Sequence, residues 1–207
     1  ARPGRRSLAL DLMDGRGVSV VDAATGKLIW KIGQTTYHVG DGMVADFDPS
    51  HPGMECFASE DRKGGSTDKY LLTAAGKKIN TTNAEVPGCR NWIWWDADLL
   101  RETFKGDDNR WGASSSSGGR KQSIWKWQGE VLTEGIEGDI LMIADLEGDW
   151  REELITALPG ELRIYHTNIP ARDRRVTLMQ DPLYRSYVAH RSMGYPQAPV
   201  TSYFLGE

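Results

Sequence analysis

Cysteine is scarce: Cys56 and Cys89 are the only two in 207 residues. One pair excludes a disulfide-dense scaffold, and its spacing fits no zinc motif, so it reads either as one disulfide or as two buried thiols. Charge of one sign is also lacking. The formal net charge is -4, and the basic residues are scattered without a stripe of interleaved aromatics, which excludes nucleic acid as the expected partner. No apolar run reaches the length of a membrane-spanning helix, so no membrane partner is expected. The opening Ala1-Arg2-Pro3-Gly4-Arg5-Arg6 leads into no signal-type apolar core. The chain is therefore expected to be a cut product or a piece of something longer. Strong helical periodicity is scarce as well, which argues against a helical bundle.

What is present is glycine, tryptophan and short alternating runs: 23 Gly and 8 Trp. Lys27-Leu28-Ile29-Trp30-Lys31-Ile32 alternates polar and apolar residues, the period-two signature of a half-buried strand. Ala23-Ala24-Thr25-Gly26 is the turn before it. Lys69–Thr73 and Lys77–Ile79 flank an Ala-Ala-Gly turn and read as a hairpin, as do Ser123–Trp127 and Glu130–Leu132. Asn91–Asp96 is the most aromatic strand, with Trp92 and Trp94 on one face and Trp95 on the other. Such a strand serves either as core or as a sugar-stacking platform. Short helices are expected over Asp181–Ala189, with Pro182 in the first turn, and over Asp98–Phe104. Residues 107–121, rich in Ser and Gly, read as a flexible loop.

An acidic pattern occurs twice. Asp46, Asp48 and Glu55 lie between two apolar runs, with Asp41 nearby, and Asp145, Glu147, Asp149 and Glu153 lie between two others. In the second copy the acids fall at positions one, three, five and nine, so alternate side chains point to one side and the last returns at the next strand. Carboxylates that converge repel one another unless a cation sits among them, and calcium accepts six to eight oxygens with loose geometry. Calcium-binding loops are therefore expected at both places. Asp96 and Asp98 form a third candidate, or else cap a helix. Strands arriving every eight to twelve residues or so, with an acidic loop repeating at about twice the length of a blade, predict an all-β chain that forms a β-propeller or a segment of one. The tail gathers Tyr184, Arg185, His190, Arg191 and Tyr195, a set suited to an anionic substrate.

Three segments carry a family resemblance: Val39–Glu55, Trp94–Glu102 and Ala144–Glu153. They continue in order with Leu162–Tyr165, Ile169-Pro170, Thr177–Arg185, Gly194–Pro199 and Phe204–Gly206. In these the chain resembles polysaccharide lyase family eleven, the bacterial rhamnogalacturonan lyases, over its C-terminal portion. The resemblance implies a segment of an eight-bladed β-propeller, roughly four blades over residues 1–207. It also implies calcium in the loops, a pectic polysaccharide (rhamnogalacturonan) as substrate, and a secreted or periplasmic location. The missing N-terminal blades are expected from a longer chain or from a second chain. By resemblance the reaction is a calcium-assisted β-elimination at the rhamnose–galacturonate backbone. Arg191 or Arg185 is expected to neutralise the uronate carboxylate, with His190 or Tyr195 as the base.

Departures from the family are local. Its Asn-Gly-Thr-Lys stretch is replaced by Thr133-Glu-Gly-Ile-Glu-Gly-Asp139, and its Trp-Gln near the tail by His190-Arg191, whereas Tyr195 matches. A calcium-stabilised glycan-binding propeller without catalysis is the alternative these departures raise. Val20–Trp30 also resembles the docking strand of quinoprotein propellers, but it occurs once, where such enzymes repeat it.

Overall fold

The computed structural model describes residues 8–13, 17–60, 67–88, 92–105, 121–191, 193 and 197–206. The expected flexible loop at 107–121 lies outside them except for Lys121. The chain divides into two compact units, Ala1–Cys89 and Arg90–Glu207.

The first unit holds two three-stranded antiparallel meanders. One is β1 (Leu8–Met13), β2 (Gly17–Asp22) and β3 (Leu28–Lys31); the other is β4 (Val39–Ala45), β5 (Glu55–Glu60) and β6 (Lys69–Leu72). The turn between β2 and β3 follows from its sequence. Asp22 Oδ1 accepts the Ala24 and Thr25 N–H groups and the Thr25 hydroxyl, and Gly26 takes the left-handed φ of 68° that ends the turn. Central β5 is the most buried strand of the unit, and Val18, Val39, Ala58, Tyr70 and Leu72 pack as its core. After β6 the expected second hairpin arm shrinks to a single bridge, Leu72 to Lys78.

Gly76 in that turn has φ 82°, and a Cβ there would lie 2.6 Å from the Trp30 ring, whose Nε1 donates to Ala74 O at 2.9 Å. Gly76→Ala combines left-handed strain with a clash against a ring tethered by that bond. It is expected to cost about 1–3 kcal/mol, read as a lower urea midpoint.

The second unit holds the four-stranded sheet β10-β9-β8-β7, made of β7 (Trp92–Ile93), β8 (Glu102–Lys105), β9 (Lys121–Trp125) and β10 (Val131–Glu137). A three-stranded meander follows, β11 (Asp139–Ala144), β12 (Glu153–Leu158) and β13 (Glu161–Tyr165). The helix α1 (Pro182–Arg191) comes last and extends the expected one by two residues at its C-terminal end. Ile93, Trp95, Ile124, Ile136, Ile140, Ile143 and Leu154 form one core cluster. Trp94, Trp150, Leu178, Tyr184 and Leu205 form another, under the tail.

Two expectations are corrected, and one alternative left open is decided. The propeller segment is not what the sheets form. Among the described residues there are four separate antiparallel sheets of three or four strands, and none is closed or propeller-like. Short strands at even spacing suit sandwiches and propellers alike, so spacing alone could not separate them. The helix over Asp98–Phe104 is absent. Asp98 Oδ1 instead accepts the Leu100 N–H in a local turn, and Glu102 opens β8. The aromatic strand is only two residues long, and Trp92, Trp94 and Trp95 are all buried, which makes them core and not a sugar platform. Cys56 is a buried free thiol, and burial pushes its pKa up to about 12; Cys89 lies outside the described residues. No described helix is long and apolar enough to cross a membrane.

Candidate functional site

Three acidic loops share one construction. In each, a glutamate that begins the next strand folds back and accepts one or two backbone N–H groups at the start of the loop.

In the first, Glu55 Oε2 accepts from Phe47 at 3.1 Å and from Asp48 at 3.2 Å. Phe47 anchors the loop by packing edge-on against Phe57, with ring centroids 5.6 Å apart. Asp48 is engaged locally: Oδ1 accepts the N–H and hydroxyl of Ser50, and Oδ2 lies 3.2 Å from His51 Nδ1. Burial works upward on Asp48, but these partners hold its pKa below the usual value. Glu55 is the exception. Its side chain is fully buried and its Oε1 has no hydrogen-bond partner. Burial, helped by the charges of Asp46 and Asp48 and opposed by the two N–H groups, raises its pKa from 4.5 to about 7. A buried carboxylate oxygen with no hydrogen-bond partner, beside two further carboxylates, has the chemistry of a ligand for a hard cation.

The sign of the pH effect follows. A carboxyl with a raised folded-state pKa adds stability that is present below about 4.5 and lost as pH rises through about 7. In chelator, urea midpoints are expected to fall across that window. Glu55→Gln, which does not titrate, is expected to flatten this fall.

In the second loop the acids are met mostly by protein donors. Asp145 Oδ1 accepts Gly148 N–H, and Oδ2 accepts Trp150 N–H, the Thr177 hydroxyl and Leu178 N–H, the last at 2.7 Å. Asp149 is paired with the Arg151 guanidinium, which also donates to Ile169 O. Glu153 Oε2 accepts from Leu146 at 2.6 Å and from Glu147 at 3.0 Å, and burial raises its pKa. Glu147 is exposed beside His166. Trp150 sits in this loop at φ 75°, a left-handed conformation that a bulky residue adopts only when packing enforces it. Its ring is fully buried and its Nε1 donates to Asp173 O.

The third loop brings three ligand atoms together. Asp96, Asp98 and Glu102 offer oxygens within 4.8 Å of one another, a set compatible with a metal ion, and among the described residues neither of the other two loops reaches that spacing. Glu102 Oε2 accepts the Trp95 N–H at 2.8 Å, and burial, then the Asp96 charge, raises its pKa well above the usual range. Asp96 and Asp98 were legible as a candidate, whereas Glu102 was missed. The signal for it was a glutamate at the start of a strand, as at Glu55 and Glu153.

The tail residues are not gathered at one point. Arg185 and His190 are both exposed, and five positions along one helix puts them on different faces. Arg185 donates to Met179 O and Gln180 O. Arg191 is buried, donates to Leu141 O at 2.8 Å and to Gln197 O, and burial lowers its pKa to about 10. Tyr195 lies outside the described residues. Tyr184 is core: it donates to Glu152 Oε1 at 2.7 Å and accepts Asp145 N–H.

Sequence reasoning missed a buried ion pair in the second unit. Arg101 Nη2 lies 3.0 Å from Glu152 Oε2, Nη1 donates to Pro199 O, and the guanidinium stacks 3.9 Å from the Trp94 ring centre. Both members are almost fully buried. The partners are 51 residues apart, so no local pattern announces the pair.

A family model described as rhamnogalacturonan lyase family 11, C-terminal domain, matches residues 5–207. The chain is 41% identical over 194 residues to rhamnogalacturonan endolyase YesW of Bacillus subtilis (strain 168), covering 92% of this chain and 29% of that protein. It is 34% identical over 221 residues to rhamnogalacturonan exolyase YesX of the same organism, covering 99% of this chain and 35% of that protein. A crystal structure of rhamnogalacturonan lyase YesW matches with a TM-score of 0.69 at 34% identity, over 95% of this chain and 32% of that one. The chain thus spans about a third of the length of the relatives it matches.

Proposed function

We propose that this chain, which belongs to rhamnogalacturonan lyase family 11 as its C-terminal domain, forms the C-terminal part of a secreted or periplasmic lyase that cleaves rhamnogalacturonan. The observation that carries this reading is the family match, which runs over residues 5–207.

A lyase of this class removes the C5 proton of a galacturonate and expels the C4 oxygen, so the product carries a C4–C5 double bond and no water is added. The C5 proton becomes acidic only when the adjacent carboxylate is neutralised. Arg185 and His190 are both exposed on α1 but on different faces, so each is proposed separately, Arg185 to pair the carboxylate or His190 to move the proton, and not both at one sugar. Tyr195 is proposed as the alternative base. Arg191, buried and directed at two carbonyls, is given the role of fixing the tail rather than touching substrate.

Calcium is proposed at Asp46, Asp48 and Glu55, supported by the partnerless Glu55 Oε1, and at the Asp145, Glu147, Asp149 and Glu153 loop. Bound there, the ion supplies neutralisation of converging carboxylates and holds each loop to the strand that follows.

The segment Thr133–Asp139 favours a second reading. It forms the end of β10 and the start of β11 instead of a loop bearing a lysine, which suits a glycan-binding module without catalysis. The product separates the two. Ultraviolet absorbance of rhamnogalacturonan treated with the complete protein rises for a lyase. Retention in affinity electrophoresis with no such rise identifies a binding module.

A further inference from the structure

The third acidic loop is neutralised by a residue from elsewhere in the chain. Lys126 follows β9 and is 28 residues from Asp98. Its Nζ lies 2.6 Å from Asp96 Oδ2 and 2.5 Å from Asp98 Oδ2. The other oxygen of each aspartate is engaged by the loop itself, Asp96 Oδ1 by Asp98 N–H and Asp98 Oδ1 by Leu100 N–H. Glu102 turns Oε2 to the Trp95 N–H. Each aspartate therefore keeps one oxygen for the turn and directs the other at a single point, and a positive charge stands at that point. The first loop has the same strand-start glutamate, but its Asp48 is met by Ser50 and His51, and its Glu55 Oε1 has no hydrogen-bond partner among the described residues.

We propose that Lys126 is the resident cation of the Asp96–Asp98–Glu102 loop, standing where a divalent ion sits in a loop of acids alone, and that removing it converts the triad into a divalent-cation site. An ammonium offers three donors and one charge, enough to bridge two carboxylates and fix the turn without metal. Calcium needs six to eight oxygens, and three carboxylates with backbone carbonyls and water supply them once the ammonium is gone. This inference does not depend on calcium at the first loop or on lyase activity.

The test counts bound terbium(III) by luminescence titration, and calcium by calorimetry, on the complete protein. Lys126→Met is expected to bind one more equivalent than the unmodified protein, and Asp98→Asn added to Lys126→Met is expected to abolish that gain. In the unmodified protein, Asp98→Asn is expected to leave the bound equivalents unchanged. Lys126→Arg, which keeps the charge, is expected to gain none. A Lys126→Met protein that folds with calcium and not in chelator supports the proposal. An unchanged count in folded Lys126→Met, failure to fold in both conditions, or loss of an equivalent on Asp98→Asn alone would overturn it. Glu55→Gln, read in parallel, reports on the first loop separately.

Discussion

Replacing Arg101 by methionine is expected to destabilise the second unit by about 3–5 kcal/mol, the cost of breaking a buried ion pair by removing one partner. Glu152 is fully buried and has four stabilising contacts: the Arg101 guanidinium, the Tyr184 hydroxyl, the Trp94 N–H, and its own N–H donated to Trp94 O. Burial raises the Glu152 pKa, while Arg101, Tyr184 and Trp94 pull it back. Without Arg101 the carboxyl takes up a proton more readily. The stability that protonation provides is present below the unfolded-state value and lost as pH rises through the folded one, so the variant's deficit is expected to shrink as pH falls. Urea unfolding at several pH values reads this directly. Glu152→Gln added to Arg101→Met is expected to recover part of the loss, because it removes the unpaired charge. A single Arg101→Met that unfolds at the unmodified midpoint at neutral pH would show that the pair carries no such weight.

Asp145→Ala is expected to have an effect of similar size. The carboxylate receives three backbone N–H groups and a hydroxyl from the loop and from the turn at Leu178–Gln180. Two of those donors, on Trp150 and Leu178, belong to buried residues. Removing the acceptor leaves them without a partner, at a cost of about 1–3 kcal/mol each. It also releases Trp150 from a conformation that only its surroundings enforce. Asp145→Asn keeps one oxygen acceptor and is expected to cost less than Ala. The discriminating measurement is the unfolding midpoint with calcium and with chelator. Equal losses in the two conditions assign Asp145 to the hydrogen-bond network alone. A midpoint that calcium raises in the unmodified protein but not in the variant assigns it a metal as well.

What was legible in the sequence was local. Alternation in Leu28–Lys31, the Asp22 turn with its glycine, the acid-bearing loops and the proline that opens α1 could all be read, because each depends on neighbours a few residues away. What was not legible required partners far along the chain. Lys126 meets Asp96, and Arg101 meets Glu152, only once the strands are placed. The aromatic run read as either core or sugar platform, and burial of Trp92, Trp94 and Trp95 makes it core. Glu102 and Glu55 were both open to discovery by one rule, a glutamate at a strand start after paired acids, and only Glu55 was found by it. The larger architecture misled for a different reason. Even strand spacing is shared by several all-β designs, and it cannot say which sheets face one another.

We propose that this chain belongs to a lyase and that its first and second acidic loops hold calcium in support of that activity. The most direct measurement is the ultraviolet absorbance of rhamnogalacturonan incubated with the complete protein, before and after chelation and after calcium is restored. The account predicts a rise that fades with chelator and returns with calcium. No rise from a folded, calcium-loaded protein would contradict it.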